Sequence, residues 1–484
     1  MFVDESCHHE KVPLLRSTKA TQLWANSVIQ LCGRIAICEQ LLDYERAGLG
    51  KLINQDNVVR FHCTDKAVGL EAFEKEEFTW VQRFIADKEK PIMDSLTQIE
   101  PEVEKMMAPL VRRWRRHYIG YKTTPEIALY YEQRGILLSH LMFGQDSFPG
   151  EARFGGFEFD LYRSAVGILI GWMLKHLHFA RLLKRKHAEL EIPNLVTVHQ
   201  EIKVLAAYLS EALLVEHDAA EKALGILTLT PENKRELCMP GGAPAPLVRI
   251  GAAHVVKSVA GCLNSPFDFM VRSLRHQFPT DWDRAVQLRE ETFRTELYML
   301  FPGSRFVRMG NPLRLRQGKR DLTDIDAAIF DPENGVAGIF QLKWQEPFGR
   351  SMRERESRKM NFLQEAKSWI KSTRGFLESA SPRQIAGIFG LKVKEVEKIK
   401  CFRLFILGRN FSHFSGEAEP DDCAAWGLWP QVLRLAAEAY DHSNPVNGLY
   451  EALRRSSPYA KPRPEVGGFE FDVGGRHIAM DPLP

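Results

Sequence analysis

Two neighbouring segments of the chain carry residues that can do chemistry together. The first is Asp324-Ile325-Asp326-Ala327-Ala328-Ile329-Phe330-Asp331, and the second is Ile339-Phe340-Gln341-Leu342-Lys343-Trp344. Pro332-Glu333-Asn334-Gly335 lies between them and reads as a turn joining two short antiparallel strands. Side chains alternate along a strand, so Gln341 and Lys343 share one face while Phe340, Leu342 and Trp344 share the other. The turn brings Asp326 across from the Gln341–Lys343 region. A polar trio in strands otherwise built from Ala, Ile, Phe, Val and Leu needs a reason, because a buried unpaired charge is costly. The chemistry that suits it is hydrolysis of a phosphodiester. A Mg2+ ion takes oxygen ligands, typically one or two carboxylates with water and substrate oxygens. Asp326 supplies a carboxylate and Gln341 an amide oxygen, with the Leu342 carbonyl as a third donor. Lys343 can hold a water and offset charge developing on the phosphate.

These residues need elements to position them. A helix is expected over about 281–301, with Val286, Phe293, Leu297 and Leu300 on its apolar face. Glu290 falls inside that stripe and is the preferred further carboxylate. Glu296, at its edge, is the second choice. Strands are expected near 304–316, 324–331 and 336–344, a helix near 352–378, the strand Lys400–Leu407 and a helix over about 430–440. Phe402–Leu407 is nearly continuous in apolar residues, as in a strand covered on both faces. Ahead of Asp326, Arg305, Arg308, Arg314, Arg316, Lys319 and Arg320 have no acid among them. Arg314, Arg316, Lys319 and Arg320 are the candidate phosphate contacts. Arg350, Arg353, Arg355, Arg358 and Lys359 follow on the other side, interrupted by Glu354 and Glu356.

The order helix-Glu, strand, Ile-Asp strand, Gln-x-Lys strand, helix, strand resembles the PD-(D/E)xK nuclease superfamily, and more narrowly its restriction-endonuclease-like, Mrr-like members that use Gln-x-Lys. The resemblance covers roughly residues 280–410. It implies an αβββαβ core with a mixed central sheet flanked by helices, Mg2+ dependence with Mn2+ as a substitute, and cleavage of DNA. Asp326, Gln341 and Lys343 match the motif in order and spacing, and Glu290 takes the place of the helix acid. Gln341 stands where Glu is more frequent, which removes one negative charge from the site. The family implies a Mg2+-dependent DNA endonuclease suited to restriction or antiviral defence. The alternative is a nucleic-acid-binding or assembly protein whose nuclease fold is inactive, and RNA in place of DNA as the substrate is a third reading behind these two.

The rest of the chain bounds this reading. With 484 residues there is room for two to four domains. The composition, 44% hydrophobic and 26% charged, is that of a globular protein, and the net charge of +3 confines nucleic-acid contact to local patches. The eight cysteines form no CxxC pair and suit a reducing cytosol. Cys7-His8-His9 and His62-Cys63 lack the spacing of a zinc site. Acidic residues interrupt any signal-peptide pattern, and the apolar run Ser164–Leu174 is too short to span a bilayer. The expectation is a cytoplasmic protein without a membrane span.

Apolar spacing predicts helices near 20–48, 68–118, 125–143, 160–190 and 196–226, with Pro91, Pro101 and Pro109 dividing the second. The predicted organisation is therefore α+β. An all-helical sensing or assembly module spans 1–238, offering a protein partner or self-association. A linker and connecting segment follows over 239–274, the nuclease-like domain over 275–455, and a Pro/Gly-rich tail over 456–484. Two basic runs, Arg112-Arg113-Trp114-Arg115-Arg116-His117-Tyr118 and Lys184-Arg185-Lys186-His187, lie in the helical half and suit a nucleic-acid track or a solvated face. Gly-Gly-Phe-Glu-Phe-Asp occurs at both 155–160 and 467–472 and reads as coincidence. No phosphate-binding Gly-Lys-Ser/Thr loop, Gly-x-Ser-x-Gly elbow or His-Glu-x-x-His pair is present.

Overall fold

A computed structural model describes residues 16–64, 70–237, 242–317, 320–346, 352–414, 423–438, 442–460 and 467–481. The architecture is α+β with mixed sheets. Two compact units divide the chain. The first comprises Met1–Cys32 and Gln82–Val286, the second Gly33–Val81 and Gln287–Pro484.

The first unit is organised around the helix Phe159–Lys186. Its middle turns are buried from Ala165 through Met173 almost without interruption. It is the one helix among the described residues long and apolar enough to cross a membrane, yet 83% of its apolar window is buried inside the fold. The helix Pro125–His140 packs tightly on it. A Cβ at Gly135 would lie 2.3 Å from the backbone of Gly167 and of Gly171, so only glycine admits this approach.

The expected all-helical character of 1–238 is corrected here. Val198–Glu201, His254–Lys257, Leu247–Arg249 and Thr228–Leu229 form a four-stranded sheet in that order. The expected helix 68–118 ends as a helix at Met107 and runs through Pro91 and Pro101. Each proline removes one backbone hydrogen bond, and a helix of 38 residues retains the rest. The basic run after it is not helical. Val111–Trp114 and Tyr118–Tyr121 make a hairpin whose turn places Arg115 and Arg116 at φ +45° and +67°. The segment 239–274 is not a linker in its described part. It contributes two of the strands just named and most of the helix Pro266–Gln277, whose Phe267, Met270 and Leu274 are buried in the core.

The second unit holds the elements around Asp326. In chain order these are α1 (Pro279–Met299, which begins in the first unit), β1 (Val307–Arg308), β2 (Leu313–Gln317), β3 (Arg320–Ile325), β4 (Ala327–Asp331), β5 (Val336–Lys343), α2 (Met352–Ser379), β6 (Cys401–Gly408), β7 (Ala424–Leu428), α3 (Trp429–Glu438) and α4 (Pro445–Arg455). A five-stranded sheet runs β1-β4-β5-β6-β7. β1 and β5 each run antiparallel to β4 between them, whereas β5, β6 and β7 are parallel. Parallel neighbours cover β6 on both edges, consistent with its apolar run. One face of the sheet carries Ala328, Phe330, Ala337 and Ile339 against Phe362, Ala366 and Trp369 of α2. The other carries Ala327, Ile329, Phe340 and Leu342 against Phe293 and Leu297 of α1 and Val446 and Leu449 of α4.

Two further expectations are corrected in this unit. The segment 304–316 is not one strand, because β2 leaves the main sheet and pairs with β3 as a separate hairpin. The tail 456–484 is not free of structure. Phe469–Val473 and Arg476–Met480 form a hairpin, and the second strand pairs in parallel with Val58–Cys63, itself a hairpin with Gly50–Gln55. Ile478 and Met480 are buried against Leu41 and Phe61, so residues 33–81 belong to the second unit. The repeated hexapeptide takes two conformations. At 155–160 a glycine turn and the short strand Phe157–Glu158 lead into a helix that starts at Phe159, whereas at 467–472 the strand continues through Asp472.

Candidate active site

Asp326 sits at the break between β3 and β4, where the chain passes from the small hairpin to the main sheet. Ala327 pairs with Phe340, which places Asp326 opposite Gln341. The two side chains meet. Gln341 Nε2 donates to Asp326 Oδ2 at 2.7 Å, and the Leu342 N–H donates to the same oxygen at 2.7 Å. Asp326 and Gln341 are 5% and 3% exposed, so this polar pair lies inside the fold at the end of an apolar sheet face. Oδ1 of Asp326 takes no hydrogen bond among the described residues.

Lys343 is two residues further along the same face and forms an ion pair with Glu365 of α2 at 2.9 Å. Glu290 comes from α1. Its surface is exposed, yet enough protein surrounds the carboxyl to raise its pKa by desolvation. Lys343 and Arg294 oppose that shift and Asp324 adds to it. The same neighbours act on Asp326. Burial first, then Asp324 and Glu290, push its pKa up to about 7 against the opposing Leu342 N–H and Lys343. Burial pulls the Lys343 ammonium down, but Glu365, Asp326 and Asp324 outweigh it and the net shift is upward. Glu290, Asp324, Asp326, Lys343 and Glu365 thus form one electrostatic cluster. Asp324 and Glu365 were not among the expected site residues. Asp324 lay in the quoted motif, but Glu365 had no local signal.

The two helix acids have different partners. Glu296 is ion-paired with Arg409, a buried guanidinium that also lies 4.4 Å from the Trp344 ring centroid. Glu290 remains beside Lys343.

The basic residues divide. Arg305 is structural: it grips the fully buried Asp331 through Nε–Oδ1 at 3.0 Å and Nη2–Oδ2 at 2.5 Å. Burial raises the Asp331 pKa, but Arg305 and Asn334 outweigh it and the carboxyl ends below its ordinary range. Arg308 donates to the carbonyls of Phe301 and Gly303. Arg314 and Arg316 are 73% and 62% exposed on β2 and pair with Asp321 across the hairpin at 3.7 and 2.7 Å. Arg314 is also in register with Asp324, so this exposed hairpin leads directly to Asp326. Lys319, Arg350 and the side chains of Arg320, Arg353 and Arg355 lie outside the described residues, as do Cys7, His8 and His9. Arg358 is tied to the Glu346 carbonyl at 2.6 Å. In the first unit, Lys184 caps the carbonyls of Ala188 and Leu190 just past its helix, while Lys186 donates to the Ala108 carbonyl and Arg185 pairs with Glu104, so that run is taken up by intramolecular partners. His62 pairs with Asp481.

Among the described residues no group of three or more His, Cys, Asp or Glu side chains is placed to hold an ion, so a closed protein cage is excluded there. Asp326 Oδ1 and the Gln341 amide oxygen fit the sparser demand of Mg2+, which keeps most of its shell as water and substrate oxygen. No protein-family model, no curated protein and no solved structure matches the chain.

Proposed function

We propose that the second unit is a Mg2+-dependent DNA endonuclease of the PD-(D/E)xK type, with β1, β4, β5, α2 and β6 as its core and α1 as the leading helix. The observation that carries this reading is the 2.7 Å contact between Asp326 and Gln341 across antiparallel strands, with Lys343 two residues on and Glu290 in the same electrostatic cluster. Asp326 and Gln341 would hold the metal, which supplies polarisation of the phosphodiester and a more acidic water. Lys343 orients that water and stabilises charge on the phosphate oxygens once Glu365 yields the ammonium. Asp326 accepts the Leu342 N–H through Oδ2, which fixes the carboxylate and would leave Oδ1 for the metal. Arg314 and Arg316 take backbone phosphates in exchange for Asp321. That exchange is easy because exposed ion pairs contribute about 1 kcal/mol or less.

A second reading, a DNA-binding protein with an inactive nuclease fold, is favoured by one observation. The polar groups of the site satisfy one another, with Gln341 donating to Asp326 and Lys343 bound to Glu365. Incubation of plasmid, linear duplex and single-stranded DNA with the purified protein in Mg2+ or Mn2+ separates the two. The proposal expects metal-dependent nicking or cleavage that Asp326→Ala and Lys343→Ala abolish. Binding without cleavage in any metal supports the second reading, and cleavage undiminished in both variants rejects the site.

A further inference from the structure

The helix Lys19–Arg46 is 28 residues long and carries the largest concentration of exposed apolar side chains among the described residues. Trp24, Val28, Leu31, Ile35 and Leu42 are 60%, 40%, 49%, 45% and 41% exposed. Leu23 and Ile29, 58% and 68% exposed, lie beside them, but the spacing of these five is regular. They recur at intervals of four, three, four and seven residues, the heptad repeat of a coiled-coil seam in which half-buried Cys38, packed towards Leu41 and Phe61, takes the remaining position. In heptad terms Val28, Ile35 and Leu42 occupy a, and Trp24, Leu31 and Cys38 occupy d. β-Branched residues lead at a and Leu occupies the central d, the combination that favours two parallel strands.

The helix does not need this seam for its own fold. Leu41, Ile37 and Tyr44 lie on a neighbouring face and pack against the sheet strands that hold Phe61 and Ile478. The seam is therefore an additional apolar stripe, and a stripe of strict 3.5-residue period matches another helix better than a flat or concave surface.

We propose that this stripe is a parallel, in-register coiled-coil interface between two copies of the chain. Flanking charges select the second copy as occupant. In that register position g of one heptad faces position e five residues later on the partner helix. Arg34 is at g and Glu39 is at e, so the pairing is complementary on both sides of a two-fold axis. Arg34 donates to the Asp472 carbonyl at 2.8 Å through Nη1, which steadies the guanidinium and leaves Nη2 for Glu39 of the second copy. An isolated helix with fewer than three heptads would not dimerise well, because nucleation opposes it. Here the helix is already formed, so that opposing term is absent.

The test is the mass of the full-length protein by light scattering and sedimentation velocity at micromolar concentration. Wild type is expected at twice 55.3 kDa. The double variant Leu31→Glu, Ile35→Glu is expected at 55.3 kDa with unchanged circular dichroism, since both side chains are exposed in the single chain. Glu39→Arg alone is expected to weaken dimerisation at least tenfold, and adding Arg34→Glu is expected to restore it. A monomeric wild type overturns the proposal. So does a dimer that survives the double variant, or a charge exchange that does not rescue.

Discussion

Asp326→Asn is expected to make the second unit more stable while removing its activity, and the size of the gain depends on pH in a defined way. Burial and neighbouring acids move the Asp326 pKa from 3.8 to about 7. The folded chain therefore prefers the protonated form and bears a penalty whenever the carboxyl is ionised. That penalty is absent below 3.8, grows as pH rises, and is complete above 7. At about 1.4 kcal/mol per unit, the gap corresponds to roughly 4 kcal/mol. Asparagine keeps the shape. Its carbonyl oxygen can accept from Gln341 Nε2 and the Leu342 N–H as Asp326 Oδ2 does. Native-state hydrogen exchange of the β5 amides, in the presence of a chelator, reads the opening free energy locally. Protection in the variant should exceed wild type by up to roughly 4 kcal/mol above pH 7 and converge with it toward pH 4. Mg2+ should narrow the difference at high pH by stabilising wild type alone. A variant that is less protected than wild type, or a difference that ignores pH, refutes the account of Asp326 as a charge held at a penalty for function.

Three further outcomes follow from the same geometry. Gln341→Glu puts a second carboxylate where an amide now donates at 2.7 Å, so without metal it should destabilise β5 by about 2–3 kcal/mol, and Mg2+ should recover most of that in a thermal melt. Arg314→Ala with Arg316→Ala should weaken duplex binding without regard to sequence and flatten the plot of log affinity against log salt by about 0.9 per arginine. In the first unit, Lys257 is 9% exposed and burial lowers its pKa to about 8, so the fold prefers the neutral amine. Lys257→Met should therefore stabilise that unit by up to about 3 kcal/mol below pH 8, with the gain fading as pH rises toward 10.5, measured by urea unfolding.

The parts of this molecule that could be read from sequence are those with short-range causes. The β4–β5 hairpin follows from alternation, a Pro-Glu-Asn-Gly turn and Gly335 at φ +72°, and its register puts Asp326 against Gln341. Glu290 was preferred because it shares a helix face with Phe293 and Leu297, and both of those are buried. What was missed depends on partners far away in sequence. Val58–Cys63 alternates too weakly to declare itself and becomes a strand because Arg476–Met480 lies beside it. Two-residue strands such as Thr228–Leu229 are too short to show a period. Arg305 looked like a phosphate contact because no acid is near it in sequence, and the acid it binds, Asp331, is 26 residues on. The repeated hexapeptide has Phe-Glu in a strand at both sites, and only its final Phe-Asp differs, helical at one and extended at the other, so tertiary context overrides local preference there.

The pairing of Arg476–Met480 with Val58–Phe61 has a consequence for the order of events during synthesis. Some 410 residues separate the two strands, so the Gly50–Cys63 hairpin leaves the ribosome without the neighbour that covers one of its edges. At roughly 5–20 residues per second the wait is on the order of 20–80 s. For that interval an edge strand bearing Val58, Val59 and Phe61 is open to adventitious pairing, and the second unit closes only when its last strand emerges.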